Sequence, residues 1–348
     1  MADIPLTFQV LIGIPALPVL VFGAEKVVEK MERIAAYYSI PDVLIAMSVV
    51  SIGTSLPEFV LHVVGSFKIL SNPGCIQQFY VPGAATCKII SATVLGGNIG
   101  SDVVQQTLVL GLVVFSFSFF GDKNHFQFSE SFLKKDYFPM MGTTLMTLVL
   151  AWDGILSRVD GAVLVGSFIA YMYYLYRTRD RRLNQDVEPS DNIRKDILIG
   201  TGGILAVVVS AHIILEATET VVQATGLGGS LIGVMTVGLV SAFPELFTAI
   251  QGIRKKAAGI SLGTLIGSNI TNPLLAIGLG SLLSTYWVPR PLVLWDLPME
   301  TVTAGLLLTY LLFVSDRKLG YKGAIYLILL YFFYAVIRGV YFSKDALV

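Results

Sequence analysis

From Ile197 to Leu215 the chain reads ILIGTGGILAVVVSAHIIL, with no acidic residue, lysine or arginine. About 20 apolar residues are what a helix needs to cross the hydrocarbon core of a bilayer. Comparable runs recur near 6–24, 40–67, 89–120, 137–152, 160–176, 197–216, 230–253, 259–286, 299–315 and 321–342. Inside lipid the backbone must satisfy its own hydrogen bonds, which leaves helices and closed barrels. These runs are continuous, without the apolar/polar alternation of a barrel strand. The sequence therefore predicts an all-α membrane protein with ten transmembrane helices. Charged residues make up only 14% of the chain, well below the quarter or so usual in soluble domains. Net charge is zero and no segment is strongly basic, so the expected partner is the lipid bilayer, not nucleic acid. The N-terminal MADIPLTFQVLIGIPALPVLVFGAEK lacks a basic leader and a small-residue cleavage site, and reads as a retained first span.

Orientation follows from the basic residues. With the N-terminus outside, 18 of the 24 lysines and arginines fall in cytoplasmic loops around 26–33, 123–135, 177–195, 254–256 and 317–322. Six remain outside: Lys68, Lys88, Arg158, Arg290, Arg338 and Lys344. Positive charge accumulates on the cytoplasmic side, so the split predicts a multi-pass protein of the cell membrane with both termini outside.

The most polar segment, YRTRDRRLNQDVEPSDNIRKD (176–196), divides the chain almost evenly. The two sides resemble each other. SIGTSLPEFV (51–60) is echoed by SAFPELFTAI (241–250), and LGGNIGSDVVQQTLVLG (95–111) matches LGTLIGSNITNPLLAIG (262–278) at 7 of 17 positions. Five helices per half is an odd number, so equivalent helices cross in opposite directions. The expected organisation is two inverted five-helix repeats, 1–177 and 197–348, joined by a cytoplasmic linker at 178–196. Inverted repeats are a recurring build of secondary transporters, with the substrate site near the midplane.

Within each repeat, polar residues share helix faces at spacings of three and four. Thr54, Ser55 and Glu58 point one way, as do Ser241 and Glu245; Ser101 pairs with Gln105, and Ser268 with Asn272. Hydroxyl, carboxamide and carboxylate oxygens are the hard ligands that Ca²⁺ and Na⁺ prefer. Pro57 and Pro244 have no N–H, which frees the carbonyls of Gly53 and Val240. Neither glutamate has a Lys or Arg within two helical turns. A buried, unpaired carboxylate in a membrane is costly, and a bound cation relieves that cost.

The repeated GTSLPE and IGS motifs resemble the α-repeats of the cation/calcium exchanger superfamily, in particular its Na⁺/Ca²⁺ exchanger branch. The resemblance implies a central site between the second, third, seventh and eighth helices. There Glu58 and Glu245 are the principal Ca²⁺ ligands, supported by Thr54, Ser55, Ser241, Ser101, Ser268, Gln105 and Asn272. It implies export of Ca²⁺ in exchange for Na⁺ by alternating access, with no resident cofactor. Three departures bear on the coupling ion. Ala242 stands where the family usually has Ser, Gln105 replaces Asn, and Asn272 falls where Na⁺/Ca²⁺ exchangers often carry Asp and H⁺-coupled relatives a neutral amide. Exchange of H⁺ for Ca²⁺ on the same fold therefore remains the first rival. A cation channel is a more distant one, disfavoured because only these few faces are polar. A single occluded site is compatible with a monomer. Asp102 lies one residue off the Ser101/Gln105 face, so the expected charge at the centre is −2, from the two glutamates alone, and a third Na⁺ is disfavoured.

Other features carry less. His62, one turn after Glu58, reads as a polar residue near the outer vestibule. His125 and His212 fit no ligand spacing. No nucleotide-binding glycine loop and no hydrolase arrangement of Ser, His and Asp are present, so neither an ATP-driven pump nor an enzyme is expected. Cys75 and Cys87 lie in an outer insertion, where they are either bridged or a free buried pair.

Overall fold

The computed structural model describes residues 6–38, 55–72, 75, 85–120, 125–178, 189–254 and 258–345. It is built from helices α1 (Leu6–Tyr37), α2 (Leu56–Ser71), α3 (85–120), α4 (130–150), α5 (Arg158–Thr178), α6 (Ile193–Thr225), α7 (229–241), α8 (Phe243–Arg254), α9 (258–283), α10 (Leu292–Phe313) and α11 (Tyr321–Tyr341). Among the described residues, eight helical stretches are long and apolar enough to span a membrane. Two of the ten expected spans are not among them. Part of the expected helix 40–67 lies outside the described residues, and α4 opens with the charges Glu130, Lys134, Lys135 and Asp136.

Helix ends follow local chemistry. α1 and α6 run more than two turns past their apolar cores. In α1 the extension carries the i,i+3 ion pair Lys26–Glu29, and α6 stops where Gly226 turns left-handed at φ 69°. α4 begins one residue after Ser129, whose side chain accepts from the Phe132 N–H at 3.1 Å. The expected single helix 230–253 is interrupted at Ala242, directly before Phe243-Pro244-Glu245. Proline at the first turn of α8 needs no hydrogen-bond partner, so the break comes at little cost.

The packing has a two-way pattern. α1 packs along α6, and α4 against α10. α2 packs on α9, while α7 and α8 pack on α3; α5 lies on α9, while α11 lies on α3. Two short antiparallel ladders follow the same rule. β1 (His125–Gln127), after α3, pairs with β4 (Lys318–Gly320), before α11; β2 (Ile155–Leu156), before α5, pairs with β3 (Tyr286–Trp287), after α9. α3 and α9 form the centre and are buried along most of their apolar length, whereas α1, α5, α6 and α11 are mostly exposed along theirs. The large apolar side chains on the peripheral helices, such as Leu11, Phe22, Leu198 and Phe333, are exposed, as a lipid-facing surface requires.

Two charges and the cysteines are placed differently from, or more definitely than, the sequence alone suggested. Arg338, counted above among the outer loop charges, is fully buried inside α11. Its Nε donates to both Asp296 oxygens at 3.0 and 2.8 Å, and its Nη2 to Ser230 Oγ at 2.6 Å. Of the six positive charges expected outside, Arg338 is therefore not free. His62 is fully buried as well, not in a solvated vestibule. Cys75 and Cys87 are joined by a disulfide.

Candidate cation-binding site

The two PE motifs occupy matching positions. Ser55 stands at the cap of α2 and Ala242 at the helix break before α8, and each motif places its glutamate in the first turn of the helix that follows. Helix N-termini favour negative charge. Glu58 and Glu245 are 1% and 3% exposed and stand close enough to interact electrostatically. All four of their carboxylate oxygens lack a hydrogen-bond partner, and among the described residues neither forms an ion pair. The Ser241 and Ser101 hydroxyls approach Glu58 from α7 and α3, and each also takes part in a hydrogen bond. Ser241 Oγ donates to the Gly238 carbonyl at 3.3 Å, and Ser101 Oγ accepts from Gln105 Nε2 at 3.1 Å.

Glycines set the spacing of the helices that carry these residues. A Cβ on Gly238 would sit 2.6 Å from the Ser101 nitrogen, and one on Gly100 2.6 Å from Val234 Cα. No side chain is present at either point to yield, so α3 and α7 meet backbone to backbone.

The remaining expected ligands divide into two groups. Ser55 Oγ and Asn272 Oδ1 are buried and unpartnered, like the glutamates. Gln105 and Ser268 instead hold α3 and α9 together: Gln105 Oε1 accepts from Ser268 Oγ at 2.5 Å and from Asn269 Nδ2 at 2.7 Å. Thr54 lies outside the described residues. Asn98, not foreseen from the sequence, belongs with the first group; its Nδ2 donates to the Asn272 carbonyl at 3.3 Å and its Oδ1 is free. Ser55 Oγ, the four glutamate oxygens, Asn98 Oδ1 and Asn272 Oδ1 make seven buried acceptors without donors. Ca²⁺ takes six to eight oxygens. Among the described residues no three of His, Cys, Asp or Glu converge at metal-ligand spacing, so neutral oxygens must complete any Ca²⁺ shell here.

A third carboxyl, not counted in the expected charge of −2, stands near the pair. Asp102 is 1% exposed, accepts from Asn272 Nδ2 at 2.6 Å, and stands within electrostatic range of Glu300, Glu58 and Glu245. One residue off a helix face is only about 100° of rotation, and α3 is buried nearly all round. Glu300, 2% exposed on α10, accepts from Gln106 Nε2 at 3.3 Å. A glutamate inside DLPMETVTAG was a legible signal, as intramembrane carboxylates are rare. Neither half-motif nor spacing pointed to it, because Met141 occupies the corresponding place after Pro139-Met140 in the first half.

Both IGS helices change pitch at the residue four places after the serine. π-Helical turns cover Gln105–Val109 and Asn272–Ile277. Such turns often mark functional sites, and nothing in the residue types announces this one in α3. His62 does not reach Glu58. Its Nδ1 lies 3.1 Å from Tyr286 Oη, which also meets Ser66 Oγ at 2.7 Å.

Comparison with known proteins gives the family and the fold. The family described as sodium/calcium exchanger protein matches residues 8–177 and 195–340. The chain belongs to that family. An uncharacterised membrane protein of Methanocaldococcus jannaschii is 25% identical over 316 residues, 89% of this chain and 91% of that one. Among solved structures, the H⁺/Ca²⁺ exchanger CAX superposes with a TM-score of 0.72 at 17% identity, covering 98% of this chain and 83% of its own. The sodium-calcium exchanger NCX_Mj superposes with a TM-score of 0.58 at 21% identity, covering 97% and 100%. These likenesses establish an exchanger-type membrane fold.

Proposed function

We propose that this exchanger is a Ca²⁺ exporter driven by Na⁺ entry, working by alternating access at the Glu58–Glu245 pair. The observation that carries the reading is the pair itself: two buried carboxylates with four unpartnered oxygens and no basic neighbour among the described residues. A cation in that position supplies the missing charge and fills the vacant acceptors. Glu58 and Glu245 are the anionic ligands; Ser55, Asn272 and Asn98 contribute neutral oxygens, with Ser101 and Ser241 beside Glu58 and Thr54 kept as a ligand on its motif position alone. Gln105 and Ser268 act by holding α3 against α9. Ca²⁺ and Na⁺ compete for the same oxygens, so only one substrate is carried at a time.

The architecture proposed is ten transmembrane helices in two inverted repeats, 1–177 and 197–348, about a cytoplasmic linker at 178–196. Three observations support it: the family match falls in two blocks flanking that linker, the helix contacts exchange between halves, and the two ladders cross-pair. The disulfide supports an outer position for 72–88, since cytosolic thiols are kept reduced. Both termini are then outside. α1 and α6, packed along each other and mostly exposed, are the pair suited to slide against the core.

One observation favours a second reading, H⁺/Ca²⁺ exchange: the neutral Asn272 at the position where the resemblance leads one to expect Asp. The discriminating experiment is Ca²⁺ flux into sealed proteoliposomes under an imposed Na⁺ or pH gradient. Flux that follows the Na⁺ gradient at clamped pH supports Na⁺ coupling. Flux that follows only the pH gradient transfers the assignment to H⁺.

A further inference from the structure

Asp102, Gln106 and Glu300 form a second polar centre that the Glu58–Glu245 site does not use. Asp102 and Gln106 are one turn apart on α3, and Glu300 on α10 accepts from Gln106 Nε2 at 3.3 Å. All three are at least nine-tenths buried. The carboxylates are electrostatic neighbours, and among the described residues neither has a basic partner. Asp296, four residues before Glu300 on the same helix, is the contrasting case: Arg338 and Tyr334 satisfy it. Asp102 and Glu300 receive only amide hydrogens, from Asn272 and Gln106. Gln106 gives its Nε2 to both Asn269 Oδ1, at 3.1 Å, and Glu300 Oε1, while its Oε1 is left buried without a donor. Two carboxylates and a free carboxamide oxygen are all acceptors, and a group of acceptors in a low-dielectric interior is completed by a proton or by a cation.

We propose that Asp102, Gln106 and Glu300 form a second cation site, selective for a monovalent alkali ion, beside the Glu58–Glu245 pair. The donor set is hard oxygen throughout, which excludes soft metals. It is also smaller than the six to eight oxygens that Ca²⁺ takes. Asn272 links the two centres, because its Nδ2 donates to Asp102 while its unpartnered Oδ1 is among the acceptors of the first site. A monovalent ion here reduces the negative charge that Asp102 adds next to Glu58 and Glu245, so its occupancy is coupled to theirs. That coupling presumes the Ca²⁺ reading above; the existence of the second site does not.

The test is equilibrium binding of radioactive Na⁺, of radioactive Rb⁺ as a K⁺ tracer, and of radioactive Ca²⁺ to the purified full chain in detergent. Glu300→Gln is expected to weaken alkali-ion binding by about tenfold or to remove one class of sites. Gln106→Leu, which removes only the free carboxamide, is expected to do the same in milder form and serves if Glu300→Gln misfolds. Glu245→Gln should abolish Ca²⁺ binding and retain the Glu300-dependent alkali-ion class. Loss of Na⁺ binding assigns the site to Na⁺, and loss of Rb⁺ binding to the larger ion; either supports the proposal. Binding of both isotopes unchanged in the Glu300 and Gln106 variants overturns it, and leaves the two carboxyls joined by a shared proton. Absence of Ca²⁺ binding in the parent chain would instead count against the first site alone.

Discussion

Replacing Gly238 with alanine tests whether the site depends on the backbone contact between α3 and α7. The new Cβ would lie 2.6 Å from the Ser101 nitrogen, 2.7 Å from the Gly100 carbonyl carbon and 2.9 Å from Gly100 Cα. All three are main-chain atoms, so no rotamer change relieves the clash. Ordinary contact begins at 3.4 Å, so α7 must retreat from α3 by about 0.8 Å, a form of overpacking that costs about 1–3 kcal/mol. Gly238 itself is helical, with φ −61° and ψ −39°, and alanine brings no backbone strain of its own. The displacement is carried into Ser241 and, through the break at Ala242, into Glu245. Ca²⁺–oxygen distances span only about 2.3–2.6 Å, so a shift of that size exceeds the tolerance of the shell. Ca²⁺ affinity should fall about tenfold or more, equivalent to roughly 1.4 kcal/mol. Gly142→Ala, where nothing lies within 4 Å of the added carbon, should leave it unchanged. The assay is equilibrium Ca²⁺ binding on protein that elutes as a single folded species, with the thermal midpoint recorded alongside. A Gly238→Ala variant that binds Ca²⁺ within twofold of the parent would refute the argument that this seam sets the site's geometry.

Three further outcomes are expected. Glu58→Gln and Glu245→Gln should each abolish Ca²⁺ flux while preserving insertion and monodispersity, and near-normal flux in either variant removes that residue from the site. Arg338→Leu leaves Asp296 buried without its counter-charge and should cost about 3–5 kcal/mol, read as a lower unfolding temperature; Asp296→Asn in the same chain should restore part of it, and additive losses would show the pair to be uncoupled. Replacing Cys75 and Cys87 together by serine opens a loop with a sequence separation of 12, for which loop-closure entropy sets a destabilisation of about 3 kcal/mol; an unchanged unfolding temperature under oxidising conditions would contradict that.

Much of this protein is legible without coordinates because the bilayer imposes a one-dimensional rule. A helix in lipid must be long and apolar, so the apolar runs locate most of the helices, and α3, α5, α9 and α11 end within about two turns of where those runs do. The two glutamates stand out for the same reason: a carboxylate in such surroundings needs a cause, and the matching PE and IGS motifs supply one. Helical periodicity also places Ser101 and Gln105 on one face, and the structure joins them by a hydrogen bond.

What spacing along one helix cannot carry is the company a side chain keeps across helices. Gln105 and Asn272 hold equivalent places in the two halves. Yet the Gln105 oxygen is consumed by Ser268 and Asn269, while the Asn272 oxygen remains free. Asp102 lies off the expected face and still enters the centre, because a helix surrounded by others has no solvent side to which a charge can turn. Arg338 reads as a loop cation by its position near a helix end, and becomes a buried partner only because α10 brings Asp296 to it. The glutamates, their surroundings and their spacing were written in the chain. Which acceptors are left vacant, and which carboxylates share one centre, was decided by the packing of α3, α9 and α10, since a hydrogen bond already made between helices is not available to an ion.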